Sequence, residues 1–293
     1  MKNEPIRHHY IPQFILKNFC FDGTKHLYFF DKRNKEIFIK DTRDIFMERN
    51  LYRDEVNNAD PVKIEKDLSR FENEISHIIK EKFLNDSEIV LSVEEDEKLK
   101  LFFAIMGFRS KNTNDRFGEN ATKESRQFYS HYQKDGDLLD LWKRNLGYLV
   151  NCRSLKDVME HENIDDPIKV FLMRDTFGVT GLYFVVAERR EGCDFIIGDA
   201  YPVVVNGILP NGIPLPLFSI FPLSPKRVLM LVSNGANFAP REVVEFRECV
   251  LRNPKIDCNK ITIRVKRLYQ EEIEYINSLI LKEAKKGIAF KNK

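Results

Sequence analysis

The stretch PVKIEKDLSRFENEISHIIKEKFL, residues 61–84, decides how the chain is to be read. Ile64, Leu68, Phe71, Ile75, Ile78 and Ile79 recur at three- and four-residue spacing, which predicts an amphipathic helix over 62–84. The chain reads differently on either side of it. Upstream, Pro12 suits the first position of a short helix, because its missing N–H would have no partner there. Phe14, Ile15, Leu16 and Phe19 give that helix an apolar face, and Asp22-Gly23 ends it. KHLYFFDKRNKEIFIKD, residues 25–41, then holds two β-rich runs about a polar KRNK connection, the pattern of a hairpin.

Downstream, Ser92 with Glu95 spells a capping box that opens a second helix running through LKLFFAIMGFR, residues 99–109. Residues 118–176 are mostly helical in pattern, with DLLDLWKRNLGYLV (137–150) the most apolar part. After Gly178 the period changes to two. Strands are predicted at GLYFVVAER (181–189), CDFIIGD (193–199), YPVVVN (201–206), FSIFPLS (218–224) and RVLMLVS (227–233). A helical pattern returns at 240–251 and from about 268 to 286. Segregated elements in this order predict an α+β fold. It comprises a short N-terminal helix and β-hairpin, a central helical bundle, and a C-terminal antiparallel β-meander with flanking helices. No strong boundary interrupts the chain, so it reads as one domain over 1–293, with parts at 1–60, 61–177 and 178–293.

Composition narrows the function classes. The 293 residues are 43% apolar and include 23 Phe, which predicts a core filled by aromatics. Charged residues make up 31%, yet the formal net charge is only +2. A whole-molecule electrostatic grip on nucleic acid is therefore not expected, while local basic patches are compatible with it. Five scattered cysteines without a CxxC speak against a disulfide framework or structural zinc and for a reducing compartment. The polar start MKNEPIRHHY and the shortness of every apolar run lead us to expect a cytoplasmic protein with no membrane partner. No GxGxxG, GxxxxGK[ST], HExxH or GxSxG occurs, and NGILPNGIP (206–214) is turn chemistry. Cys20, set among aromatics in NFCFDG, reads as a buried inert thiol, and KEAKKGIAFKNK (282–293) as a solvated lysine-rich tail.

Five segments resemble the bacterial domain-of-unknown-function 4238 family. They are HHYIPQFILKNF (8–19), IEKDLSRFE (64–72), FFAIMGFRS (102–110), FIIGDAYPVV (195–204) and IFPLSPKRVLMLV (220–232). Around the aspartate the chain has Gly198-Asp199-Ala200-Tyr201-Pro202 where the family more often has Ser-Asp and Asn-Pro. Ser110-Lys111 replaces a Thr-Pro-like turn after the arginine. The resemblance implies an architecture and a set of polar positions, not an activity.

Those positions are His8, His9, Glu65, Glu72, Arg109 and Asp199. Imidazole titrates near neutrality and binds transition metals, so a histidine here can serve as base or ligand, or simply fasten a helix entrance. Adjacent residues point apart on any regular backbone, so one of the pair faces a site unless the chain turns irregularly. Glu65 and Glu72, seven apart, share a helix face about 10 Å apart along the axis. They read as a solvated face, paired with Lys66 or Arg70, or as carboxylates buried against a histidine or Arg109. Arg109 is suited to clamp a carboxylate or phosphate in bidentate fashion, or to lock two helices through Glu65 or Glu72. Asp199, at a strand end, reads as a metal ligand, a catalytic acid/base, or a turn cap.

Two functions follow. The first is a metal-assisted phosphodiesterase or nuclease, of a kind suited to a defence or toxin setting. In it His8, His9, Arg109 and Asp199 are catalytic, and His9, Glu65, Glu72 and Asp199 hold a divalent Mg²⁺, Mn²⁺ or Zn²⁺. Its partner is nucleic acid. The second is a non-enzymatic sensing or protein-interaction module in which the same residues form a buried network.

Overall fold

The computed structural model describes residues 6–118, 121–134, 136–172, 182–190, 192–208, 214–233, 255–256 and 259–292. β1 (Arg7–His9) leads into α1 (Gln13–Leu16), which tightens into a 3₁₀ turn over Lys17–Phe19. The hairpin follows as β2 (His26–Asp31) and β3 (Glu36–Asp41). Its connection is held by Asp31, whose carboxylate accepts the Arg33 N–H at 2.8 Å, and Lys35 takes the positive φ (58°) that closes the turn. β4 (Met47–Arg49) then returns to pair with β1, His8 opposite Glu48. The histidine pair therefore lies on regular strand, not in an irregular turn, and its two rings diverge.

α2 (Lys63–Ile78) buries Ile64, Leu68, Phe71 and Ile75, as the spacing required, and ends in a π-helical turn over Ile79–Phe83. β5 (Glu88–Ser92) was not apparent from sequence, being only five residues long with a single alternation of buried Ile89 and Leu91. α3 (Val93–Arg109) opens on the expected capping box: Glu95 N–H donates to Ser92 Oγ at 3.1 Å, and Ser92 N–H to Glu95 Oε2 at 2.8 Å. α4 (Lys111–Phe117), α5 (Lys123–Ser130), α6 (Leu138–Leu149), α7 (Leu155–Glu160) and α8 (Asp166–Leu172) complete the helical part.

The β-rich part comprises β6 (Leu182–Arg189), β7 (Ile197–Gly198), β8 (Val203–Ile208), β9 (Pro214–Ser224) and β10 (Arg227–Ser233), followed by β11 (Lys255–Ile256), β12 (Lys260–Arg264) and β13 (Lys266–Leu268). α9 (Gln270–Glu283) and β14 (Gly287–Phe290) close the chain. β8, β9 and β10 form the meander, and β6 and then β13 extend the sheet in the order β13-β6-β10-β9-β8, with only β13 parallel to its neighbour. Alternation along β6 turns Phe184 and Val186 to the larger core under the helices, and Tyr183, Val185 and Ala187 to a second core under α9. The fold is α+β. The larger core is not filled by aromatics as the Phe content suggests: Ile and Leu outnumber them, and the rings pack in pairs among these side chains, the Phe103 and Phe221 centroids standing 4.1 Å apart.

Two further expectations are corrected here. CDFIIGD supplies only the two-residue β7, because Asn277 of α9 takes the Ile196 N–H (3.2 Å) and donates to the Asp194 carbonyl (2.8 Å) in place of a ladder. The segment at 282–293 is not a solvated tail. Its GIAF core is β14, an interior strand between β2 and β7 in the sheet β3-β2-β14-β7. Four apolar or small residues flanked by lysines give too short a signal to outweigh the charge around them. The predicted helix at 240–251 lies outside the described residues, as do 209–213 of the predicted turn. Among the described residues, no helix is long and apolar enough to cross a membrane.

Candidate functional site

β1 alternates strictly. His8 points inward and is fully buried, and its ring lies nearly parallel to that of Tyr52, with centroids 5.6 Å apart. Tyr52 N–H donates to His8 Nδ1 at 2.9 Å. A backbone N–H only donates, so Nδ1 carries no proton and the ring is held as the Nε2–H tautomer. His9 points the other way and is half-buried. Its Nε2 stands 3.1 Å from the Thr42 carbonyl, which only accepts, and Gln13 Nε2 donates to its Nδ1 at 3.3 Å. Burial lowers the His9 pKa from 6.5, and the charge of Arg109 adds to the fall against the pull of the Thr42 carbonyl. Both rings are thus set as neutral imidazoles.

Arg109 ends α3 with its side chain only 1% exposed. Nη1 meets Glu72 Oε1 at 2.5 Å, bridging α3 to α2, while Nε and Nη2 are buried with no hydrogen-bond partner among the described residues. Its guanidinium carbon is 6.0 Å from the Tyr52 ring centroid, and the Tyr52 hydroxyl donates to the Arg109 carbonyl at 3.5 Å. Glu65, two turns before Glu72 on the same helix face, lies within the field of both. Burial raises its carboxyl from 4.5 to about 7, outweighing the opposing pull of Arg109, and Glu72 pushes it further the same way. Tyr201 borders the same charge: burial raises its phenol, and Arg109 opposes that rise.

The structure therefore brings His9, Glu65, Glu72 and Arg109 into one electrostatic neighbourhood, with His8 fixed behind it through Tyr52. Asp199 stands apart. Its carboxylate accepts the backbone N–H groups of Lys285 (2.8 Å), Lys286 (2.9 Å) and Gly287 (3.4 Å), clamping the turn between α9 and β14. Its link to the histidine segment runs through Tyr10, whose phenol is raised first by burial and then by the Asp199 and Glu48 charges.

Sequence reasoning missed Tyr10, Tyr52, Glu48 and Lys111. Glu48, opposite His8, receives Lys111 Nζ at 3.2 Å and Lys286 Nζ at 3.3 Å. Tyr52 could not be found from spacing because only the β1–β4 register brings it to His8. Among the described residues, no group of three or more His, Cys, Asp or Glu side chains is placed so that it could hold a metal ion.

The cluster offers two chemical capacities. A buried guanidinium with two donors left without an acceptor has capacity for an anion oxygen. A carboxyl poised near neutrality takes or gives a proton at working pH. No curated protein and no solved structure matches the chain. The family described as protein of unknown function, DUF4238, matches residues 7–293. Covering nearly the whole chain, that match means that the protein belongs to the DUF4238 family.

Proposed function

We propose that the Glu65–Arg109 cluster is a hydrolytic centre for phosphodiesters and that the protein acts on nucleic acid. The observation that carries this reading is the pair of unpartnered buried donors on Arg109, Nε and Nη2, beside a carboxyl held near pH 7. A non-bridging phosphate oxygen accepts from those donors, which meet the charge that grows on it in the transition state. Glu65, about half ionised at neutrality, takes the proton of the attacking water as its oxygen bonds to phosphorus; the P–O ester bond breaks and the departing alkoxide oxygen takes that proton back from Glu65. Glu72 fixes the guanidinium through Nη1. In this scheme Arg109 supplies the positive charge that a divalent ion would otherwise bring. Asp199, engaged by three backbone N–H groups, has no part in the step.

The test is cleavage of DNA and RNA by the purified protein, with and without Mg²⁺, Mn²⁺ or Zn²⁺. Glu65→Gln is expected to reduce hydrolysis by about 10²–10⁴-fold, and Arg109→Lys by about 10²–10³-fold. Undiminished cleavage in both variants overturns the proposal. Thermal shift with each ion shows whether one joins the site, since a bound metal raises Tm by mass action.

A second reading has its own support in the enclosure of Arg109 and His8. A network this deep serves equally to fasten β1 to α2 and α3 in a binding module without catalysis. Under that reading Arg109→Lys loses stability and no substrate is turned over by the unaltered protein.

A further inference from the structure

On elements other than those of the cluster, β6, the β9–β10 turn and β13 meet at an open concavity of about 370 Å³ lined by Glu188, Arg189, Arg190, Lys226 and Arg267. Register brings them together. Arg227 lies opposite Glu188 across the antiparallel pair, and Arg267 lies opposite it across the parallel one. Four cationic side chains thus line the concavity with Glu188 as the one carboxylate among them. That carboxylate is already committed to the buried Arg227, whose Nη2 stands 3.3 Å away, while Arg267 Nε reaches it only at 4.0 Å. Arg189 is held by Asp194 at 2.7 Å. Arg190, Lys226 and Arg267 remain exposed. On a chain whose formal net charge is +2, this is a local concentration of positive charge and not a sample of the average surface. Beside it stands Tyr269, 57% exposed, with the Arg190 guanidinium 3.9 Å from its ring centroid.

We infer that this concavity binds the phosphate backbone of single-stranded nucleic acid, with Tyr269 stacking on a base. Arginine forks match phosphate oxygens, and a planar guanidinium on an exposed aromatic ring is the arrangement that single strands use as a stacking platform. The concavity is open, which suits a polymer running through it better than a small anion needing enclosure. An acidic peptide would meet the same cations but would leave the aromatic face unused. The inference rests on the proposed hydrolytic function only for the fate of the bound strand. The binding itself is measurable without it.

Fluorescence anisotropy of a labelled single-stranded DNA of mixed sequence, on the full chain, tests the proposal. The triple variant Arg190→Gln, Lys226→Gln, Arg267→Gln is expected to weaken binding at least about tenfold and to flatten the slope of log K against log salt by about 2. Tyr269→Ala is expected to cost about tenfold with the salt slope unchanged. Lys226→Glu, a single reversal at an exposed turn, weakens binding in the same direction and serves if the triple variant lowers Tm. Unchanged affinity in these variants overturns the inference, as does a polyglutamate peptide that competes as well as unlabelled DNA. A small diester, bis(p-nitrophenyl) phosphate, reports on the Glu65–Arg109 centre alone. Strand binding without its hydrolysis sinks the proposed function and leaves this surface standing. Hydrolysis without strand binding does the reverse.

Discussion

Glu65 sits where burial outweighs the pull of a neighbouring guanidinium, and the consequence is a stability that depends on pH. Its carboxyl moves from 4.5 to about 7, so the folded state holds the proton more tightly than the unfolded chain. Stability from this group is fully present below about pH 4.5, declines as pH rises through 7, and is flat above. Glu65→Gln, uncharged throughout, is expected to raise stability by about 3 kcal/mol at pH 8 and to change little at pH 4.5. Urea denaturation at the two pH values measures this, and an equal effect at both removes the electrostatic cause. Glu72 is the opposite case. Removing it leaves Arg109 buried without its ion-pair partner, so Glu72→Ala is expected to cost about 3–5 kcal/mol. A loss below 1 kcal/mol would mean that solvent reaches the guanidinium. The composition of this cluster was partly legible: a lock between Arg109 and either Glu65 or Glu72 was one of the readings open to a guanidinium at the end of the next helix, and the structure gives it to Glu72. That burial would beat attraction at Glu65 was not legible, because desolvation depends on every neighbour and not on two charges.

Among the elements, β14 repays closest scrutiny. A strand of four residues near the end of the sequence becomes interior to a four-stranded sheet only because its backbone groups pair on both edges and Asp199 holds its entrance. A Cβ on Gly287 would stand 2.4 Å from the Phe30 carbonyl oxygen and 2.5 Å from Phe29 Cζ, too close for either to yield cheaply. Gly287→Ala is therefore expected to destabilise by more than about 2 kcal/mol, and hydrogen exchange should place the paired amides of 287–290 among the slowest in the molecule. Fast exchange there would remove β14 from the sheet. Asp199→Ala, which strips the acceptor from three backbone donors, is expected to speed exchange in this turn before it affects the α2–α3 region. The long helices were readable from their own residues, since each carries its period and its caps. β5, β7 and β14 were not, because strands this short draw their stability from partners distant in sequence.

Across the whole molecule, the larger core runs from Tyr10 to Ala289 and takes side chains from the N-terminal segment, the helices and both main sheets. The second core shares the five-stranded sheet with it. A shared sheet couples the two, so calorimetry is expected to show one unfolding transition with equal van't Hoff and calorimetric enthalpies. Two separated transitions would divide the chain into independently folding parts and contradict the reading of one domain. The same coupling gives the histidine strand its place. β1 contributes only three residues, and it is held by β4 on one side and by Tyr52 on the other.

The residue pattern alone determined the α+β class, the amphipathic face of α2 and the capping box at Ser92. Each rests on contacts within a few turns of chain. Only the tertiary structure decided that His8 and His9 face opposite ways on a strand, that Glu72 and not Glu65 pairs with Arg109, and that Asp199 serves the C-terminal turn. These outcomes depend on register and on the exclusion of water, which no local window of sequence contains.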